Sequence, residues 1–164
     1  MSATALDQLE QLLGSVDIQV YGQTIPELPH GGIGAHVRHV LEFFECFFKG
    51  IVEGRLDYSA RDRDLELECR PEKARAFCTH LRERLGNIPK DPQKDLLVRS
   101  EAQCGGPWLN SSLGRELDYL EQHLIHHMAL IAVIARRLGH HLPSDFGVAK
   151  STLDFWESQS QCAP

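Results

Sequence analysis

Seven of the nine histidines among 164 residues gather into three groups, His36 with His39, His123 with His126 and His127, and His140 with His141. Neutral imidazole is the commonest metal ligand among side chains and suits divalent first-row ions. Residues four apart on a helix lie one above the other. His123 and His127 therefore present two rings to one ion, the spacing used by zinc-binding helices. Three neutral histidines would leave coordination positions open, which is the pattern of a catalytic rather than a structural metal.

Helical phase separates the candidates. At 100° per residue, Leu113, Leu120, Leu124 and Ile131 point in about one direction, with His127 roughly 20° and His123 roughly 60° from Leu120. His126 falls roughly 120° away by the same arithmetic, towards the flank or solvent. A third ligand must come from another helix, and His36 and His39 are the two residues on offer there. Phase favours His36, nearer the middle of the apolar face, over His39 at its edge beside Phe43. A single inward histidine is ordinarily a core residue with its hydrogen bonds satisfied. Several on facing stripes would each carry a burial cost of a few kcal/mol unpaired, which one metal relieves together. His30, His80, His140 and His141 sit in loops or near helix ends, where solvation is expected.

The elements that must carry these residues are helical. Leu6, Leu9, Leu12 and Leu13 at helical spacing before Gly14 predict a helix over 4–13. Residues 15–34, rich in glycine and interrupted by Pro26 and Pro29, predict mostly loop. From Ala35 to Ile51 a second helix buries Val37, Val40, Leu41, Phe44, Phe47, Phe48 and Ile51, with Arg38, Glu42, Glu45 and Lys49 opposite. Pro71 at a first helical position and Gly86 as a stop bound a third. The last long helix runs over 112–138, with Asn110, Ser111 and Ser112 supplying a cap, Arg136 and Arg137 in the final turn, and Gly139 as the stop. Beyond Pro143, Ser151 or Thr152 caps a short helix through Phe155 and Trp156. The alternating DLELEC (64–69) and KDLLVRS (94–100) read as two strands of a small ribbon. Four helices of useful length in a chain of single-domain size imply one all-α bundle over 1–164.

Composition narrows the function classes. Seventeen Lys and Arg against 23 Asp and Glu leave a net charge of −6, so counterion release offers little to a nucleic acid partner and none is expected. The apolar runs 43–48 and 128–135 are too short to cross a bilayer, and the N-terminus MSATALDQLE has no basic region followed by an apolar one, so no membrane association and a cytoplasmic location are expected. Five cysteines, Cys46, Cys69, Cys78, Cys104 and Cys162, are odd in number and never spaced as Cys-x-x-Cys, and read as reduced thiols. Cys46 reads as a buried small hydrophobe.

The segments GAHVRHVLEFFECF (34–47) and RELDYLEQHLIHHMALI (115–131) together resemble the DinB-like metal-binding four-helix bundles, and the likeness covers most of the chain. It implies one histidine from the second helix and a His-x-x-x-His pair from the fourth, here His123 and His127. RHVLEFFE (38–45) is similar to the histidine-containing helix of the iron-binding bundle in sulfoxide synthases of ergothioneine type, which places the remaining ligand at His39. Related sequences carry a further histidine one turn later, where this chain has Phe43. The stretches DYSARDRD (57–64) and DFGVAKSTLDFW (145–156) also resemble bacterial DinB-like members. Arg61 and Arg63 within the first offer a fork for a substrate carboxylate, against the more frequent outcome of salt bridges to Asp57, Asp62 or Glu116.

The resemblance implies a divalent ion, zinc, nickel or iron, and a small-molecule substrate. Characterised members of the superfamily include S-transferases and isomerases that use low-molecular-weight thiols, so an enzyme activating a thiol or a water is expected, acting as a homodimer. One competing expectation is a non-catalytic stress or interaction protein whose ion holds helices together, and another is a core packed without any metal, its histidines hydrogen-bonded to one another or to carbonyls.

Overall fold

The computed structural model describes residues 3–28, 31–99 and 105–161; the expectations for His30, Cys104 and Cys162 lie outside them. Seven helices and three strands follow in the order α1 (Ala3–Ser15), α2 (Ile18–Gly22), α3 (Ile33–Glu53), β1 (Arg55–Leu56), α4 (Leu65–Cys69), α5 (Pro71–Gly86), β2 (Asp95–Arg99), β3 (Trp108–Ser112), α6 (Leu113–Arg137) and α7 (Lys150–Gln161). The chain is mainly helical, with a small sheet rather than helices alone.

The long helices form where the apolar periodicity places them. Leu6, Leu9, Leu12 and Leu13 of α1 are buried, as are all seven residues assigned to the inner face of α3. In α6 the stripe of Leu113, Leu120, Leu124 and Ile131 is buried. Helix α3 packs on α6 and α5, and α1 packs on α5 and α6, so each of the four touches two of the others. Gly54 ends α3 in a left-handed conformation (φ 74°), its N–H donating to the carbonyl of Gly50, the arrangement glycine adopts without steric penalty. Ser112 caps α6, its Oγ accepting the Arg115 N–H at 3.4 Å.

Four local expectations need correction. The 15–34 segment contains the short helix α2, started by the Asp17 carboxylate accepting the Gln19 N–H at 2.7 Å, and α3 begins two residues early, at Ile33. DLELEC is not a strand. Asp64 accepts the Glu66 N–H at 2.9 Å and starts one helical turn that buries Leu67 alone. The strand over 94–100 is present as β2, but its partners are β1, parallel through Arg55 with Leu97, and β3, antiparallel through Leu97 with Asn110. Glu42, assigned to the polar side of α3, is buried, because its Oε1 accepts the Asp64 N–H at 2.6 Å and its carboxylate lies 4.0 Å from Arg38.

Close backbone approach fixes how α3 meets its neighbour α4. A Cβ on Gly34 would lie 1.9 Å from the carbonyl oxygen of Glu68, so only glycine permits this spacing. The cysteines Cys46, Cys69 and Cys78 are free thiols, and burial pushes Cys46 up to about 11 and Cys78 up to about 12. No helix among the described residues is long and apolar enough to cross a membrane.

Candidate metal centre

The α3–α6 contact brings four histidines face to face, two from each helix. Across it, Nε2 of His39 and Nε2 of His123 lie 3.0 Å apart, and Nδ1 of His36 and Nδ1 of His127 also lie 3.0 Å apart. The ring centroid of His127 is 4.6 Å from that of His39 and 4.5 Å from that of His123. One ring nitrogen from each of His39, His123 and His127 falls within 4.8 Å of the other two, so these three side chains could hold a metal ion.

The donor set fits an ion on physical grounds. Two imidazole nitrogens bound to one tetrahedral ion at 2.0–2.1 Å stand about 3.3 Å apart, close to the His39–His123 separation. Burial first, then neighbouring charges, hold the imidazoles neutral and therefore ready to ligate. His39 is pushed down to about 4 by burial and then by His123 and Arg61. His123 is pushed down to about 4 by burial, His126 and Arg61, and His127 to about 3 by burial, His123, His39 and His36. His36 is lowered as well, again chiefly by burial. His126 is exposed on the outer flank of α6, as its phase requires.

An aromatic wall closes one side. The Phe43 ring stacks on His123 at 4.2 Å and lies 4.7 Å from His39, so it packs against two imidazoles. Behind it Tyr58 stacks on Phe43 at 5.0 Å, and Tyr119, one turn before His123, stacks on His123 at 5.6 Å. The guanidinium of Arg61 sits 4.8 Å over Phe43 and donates to the carbonyl of Tyr58 at 2.6 Å.

Among the carboxylates expected near Arg61 and Arg63, Asp57 pairs with Arg99 at 3.0 Å, Asp62 with Lys49 at 3.0 Å, and Glu116 lies 3.7 Å from Arg115. Arg63 occupies a positive φ of 55°. His80 is exposed, 3.8 Å from Glu83, and His141 is exposed. His140 is not fully solvated, since its Nε2 is buried without a hydrogen-bond partner among the described residues.

Sequence reasoning passed over Tyr58 and Tyr119 and took Glu116 only as a salt-bridge partner for Arg61 or Arg63. Glu116, only 2% exposed, accepts from the Tyr58 hydroxyl at 2.9 Å and from Ser111 Oγ at 2.5 Å. All three line a cleft of about 570 Å³ between the sheet and the first turns of α6, with Arg99 and Arg115 on its walls. A signal existed: Glu116 precedes Leu120 by four and Tyr119 precedes His123 by four, so both share the inward side of the helix.

No family model matches the chain. A stretch of 49 residues is 51% identical to part of FK506-binding protein 5 of Rhizopus delemar, covering 30% of this chain and 13% of that protein. The chain thus spans about an eighth of the length of that curated relative.

Proposed function

We propose that this chain is a DinB-like four-helix bundle, with α1, α3, α5 and α6 as its helices, that holds one divalent ion on His39, His123 and His127. The observation that carries the reading is the convergence of three ring nitrogens within 4.8 Å of one another, from the two packed helices α3 and α6. Zinc, nickel and iron all suit three imidazoles. When bound, such an ion supplies Lewis acidity that lowers the pKa of a coordinated thiol or water towards neutrality.

The chain's own residues contribute positioning and exclusion of water. Phe43 and Tyr119 press against His123 and restrict its ring. The buried Tyr58 keeps its proton, since burial and then the Glu116 charge push its phenol far up, and its hydroxyl donates a hydrogen bond to Glu116. We assign the protein to metal-dependent enzymes that act with a low-molecular-weight thiol, of S-transferase or isomerase type, or through bound water. In support, three neutral ligands leave the ion its full charge, which favours an anionic thiolate in the open position.

The competing reading, a stress or interaction protein with a structural ion, draws on one observation: a fourth imidazole, His36, lies beside His127. A cobalt-substituted sample separates the two. Addition of a small thiol is expected to raise an intense sulfur-to-cobalt band in the near ultraviolet in wild type and in Cys46→Ser, and not in His123→Ala. A cobalt protein blind to every small thiol contradicts the enzyme reading and favours the structural one.

A further inference from the structure

His36 stands one turn before His39 on α3, and its Nδ1 lies 3.0 Å from Nδ1 of His127, with ring centroids 5.2 Å apart. A neutral imidazole has one N–H, so across this contact one Nδ1 donates and the other accepts. If His36 donates, the proton of His127 sits on its Nε2 and that nitrogen has no lone pair for a metal. If His127 donates, its Nε2 lone pair is free and the proton of His36 lies on Nε2. Ligation by His127 through the nitrogen not engaged with His36 requires the second arrangement.

We propose that His36 is a positioning residue for the metal centre: its Nδ1 accepts the Nδ1–H of His127, fixing the tautomer and the ring plane that turn Nε2 of His127 to the ion. The inference rests on the metal reading above. It gives an imidazole the part that a carboxylate, a carbonyl or a water plays behind most histidine ligands. A fourth-ligand role fits the geometry less well. Nδ1 of His36 is spent on His127, and its Nε2 faces the backbone before α3, 3.0 Å from where a Cβ on Gly31 would stand. That Nε2 is buried without a hydrogen-bond partner among the described residues in either tautomer, so it does not choose between them. The lone pair needed on His127 does.

Cobalt titration of the full chain, read by its visible ligand-field bands, tests this with two variants. His36→Leu removes the acceptor and is expected to weaken cobalt binding on the order of 10–100-fold, with one ion per chain and unchanged bands. His36→Asn, which offers an amide oxygen near the same point, is expected to recover most of the affinity. In zinc-loaded wild type, long-range proton–nitrogen NMR is expected to place the His127 proton on Nδ1 and the His36 proton on Nε2. Bands that shift in His36→Leu as for a lost nitrogen ligand, unchanged affinity in His36→Leu, or a proton on Nδ1 of His36 would each overturn the proposal while the metal reading stands. Failure of wild type to bind cobalt overturns both.

Discussion

Nε2 of His39 and Nε2 of His123 face each other across 3.0 Å, one from α3 and one from α6, with Phe43 packed against both rings. Two partly buried ring nitrogens at that distance share a proton or an ion, and protonation of either ring is opposed by the other. This pairing, repeated by His36 and His127, makes the α3–α6 contact sensitive to acid.

Unfolded histidine titrates near 6.5, whereas the fold holds His39 and His123 down to about 4 and His127 to about 3. Between those values the unfolded chain takes up protons that the folded chain refuses. The metal-free protein is therefore expected to lose stability as pH falls from about 6.5 towards 4, and the histidine contribution to the slope ends below about 3. Melting temperature measured against pH should fall more steeply for wild type than for His127→Leu. Parallel profiles would contradict the burial and coupling of these rings.

Tyr58→Phe removes the phenol that donates to buried Glu116 while keeping the ring stacked on Phe43. A buried carboxylate that loses one hydrogen bond should destabilise the protein by about 1–3 kcal/mol, readable in urea denaturation. Because the aromatic wall is retained, zinc affinity is expected to change little. A loss of zinc affinity as large as that of a ligand variant would mean that the Tyr58–Glu116 pair acts on the metal centre directly.

Gly34→Ala should reverse the usual helix preference. Alanine in an exposed helix gains about 1 kcal/mol over glycine, but here the added methyl group would meet the Glu68 carbonyl at 1.9 Å and the Tyr21 ring at 2.9 Å. Forcing α3 from α4 is expected to destabilise by about 3 kcal/mol, the upper end for overpacking. Gly86→Ala, at an exposed site where nothing lies within 4 Å, provides the control and should be neutral or stabilising. Equal effects in calorimetry would contradict the close packing of α3 on α4.

Much of this was legible in the sequence for a specific reason. Over the 25 residues of α6 the apolar stripe repeats often enough to fix phase, and so it separates His123 and His127 from the exposed His126. Three residues apart on α3, His36 and His39 both reach α6, and periodicity has no means of telling which partner each one meets. DLELEC satisfies a strand and a single helical turn equally well over six residues, and the Asp64 cap decides between them. In β3, WLNSS shows no apolar alternation, with Trp108, Leu109 and Asn110 all exposed, so its pairing with β2 has no local signature. Glu116 was legible only as a salt-bridge partner for an arginine, because the Tyr58 and Ser111 hydroxyls that satisfy it inside the fold leave no mark on its local sequence.

Zinc stoichiometry, measured by equilibrium dialysis of untagged protein followed by elemental analysis, tests the three-histidine centre. Wild type and His126→Ala are expected to retain one zinc per chain, and His39→Ala, His123→Ala and His127→Ala to retain none at the same free zinc. Binding to the folded state alone should also raise the wild-type stability by about 2.7 kcal/mol at a hundredfold excess of zinc over its Kd, a gain absent from the three ligand variants. Wild type that emerges without zinc, or a loss in His126→Ala equal to that in His123→Ala, would contradict the three-histidine centre.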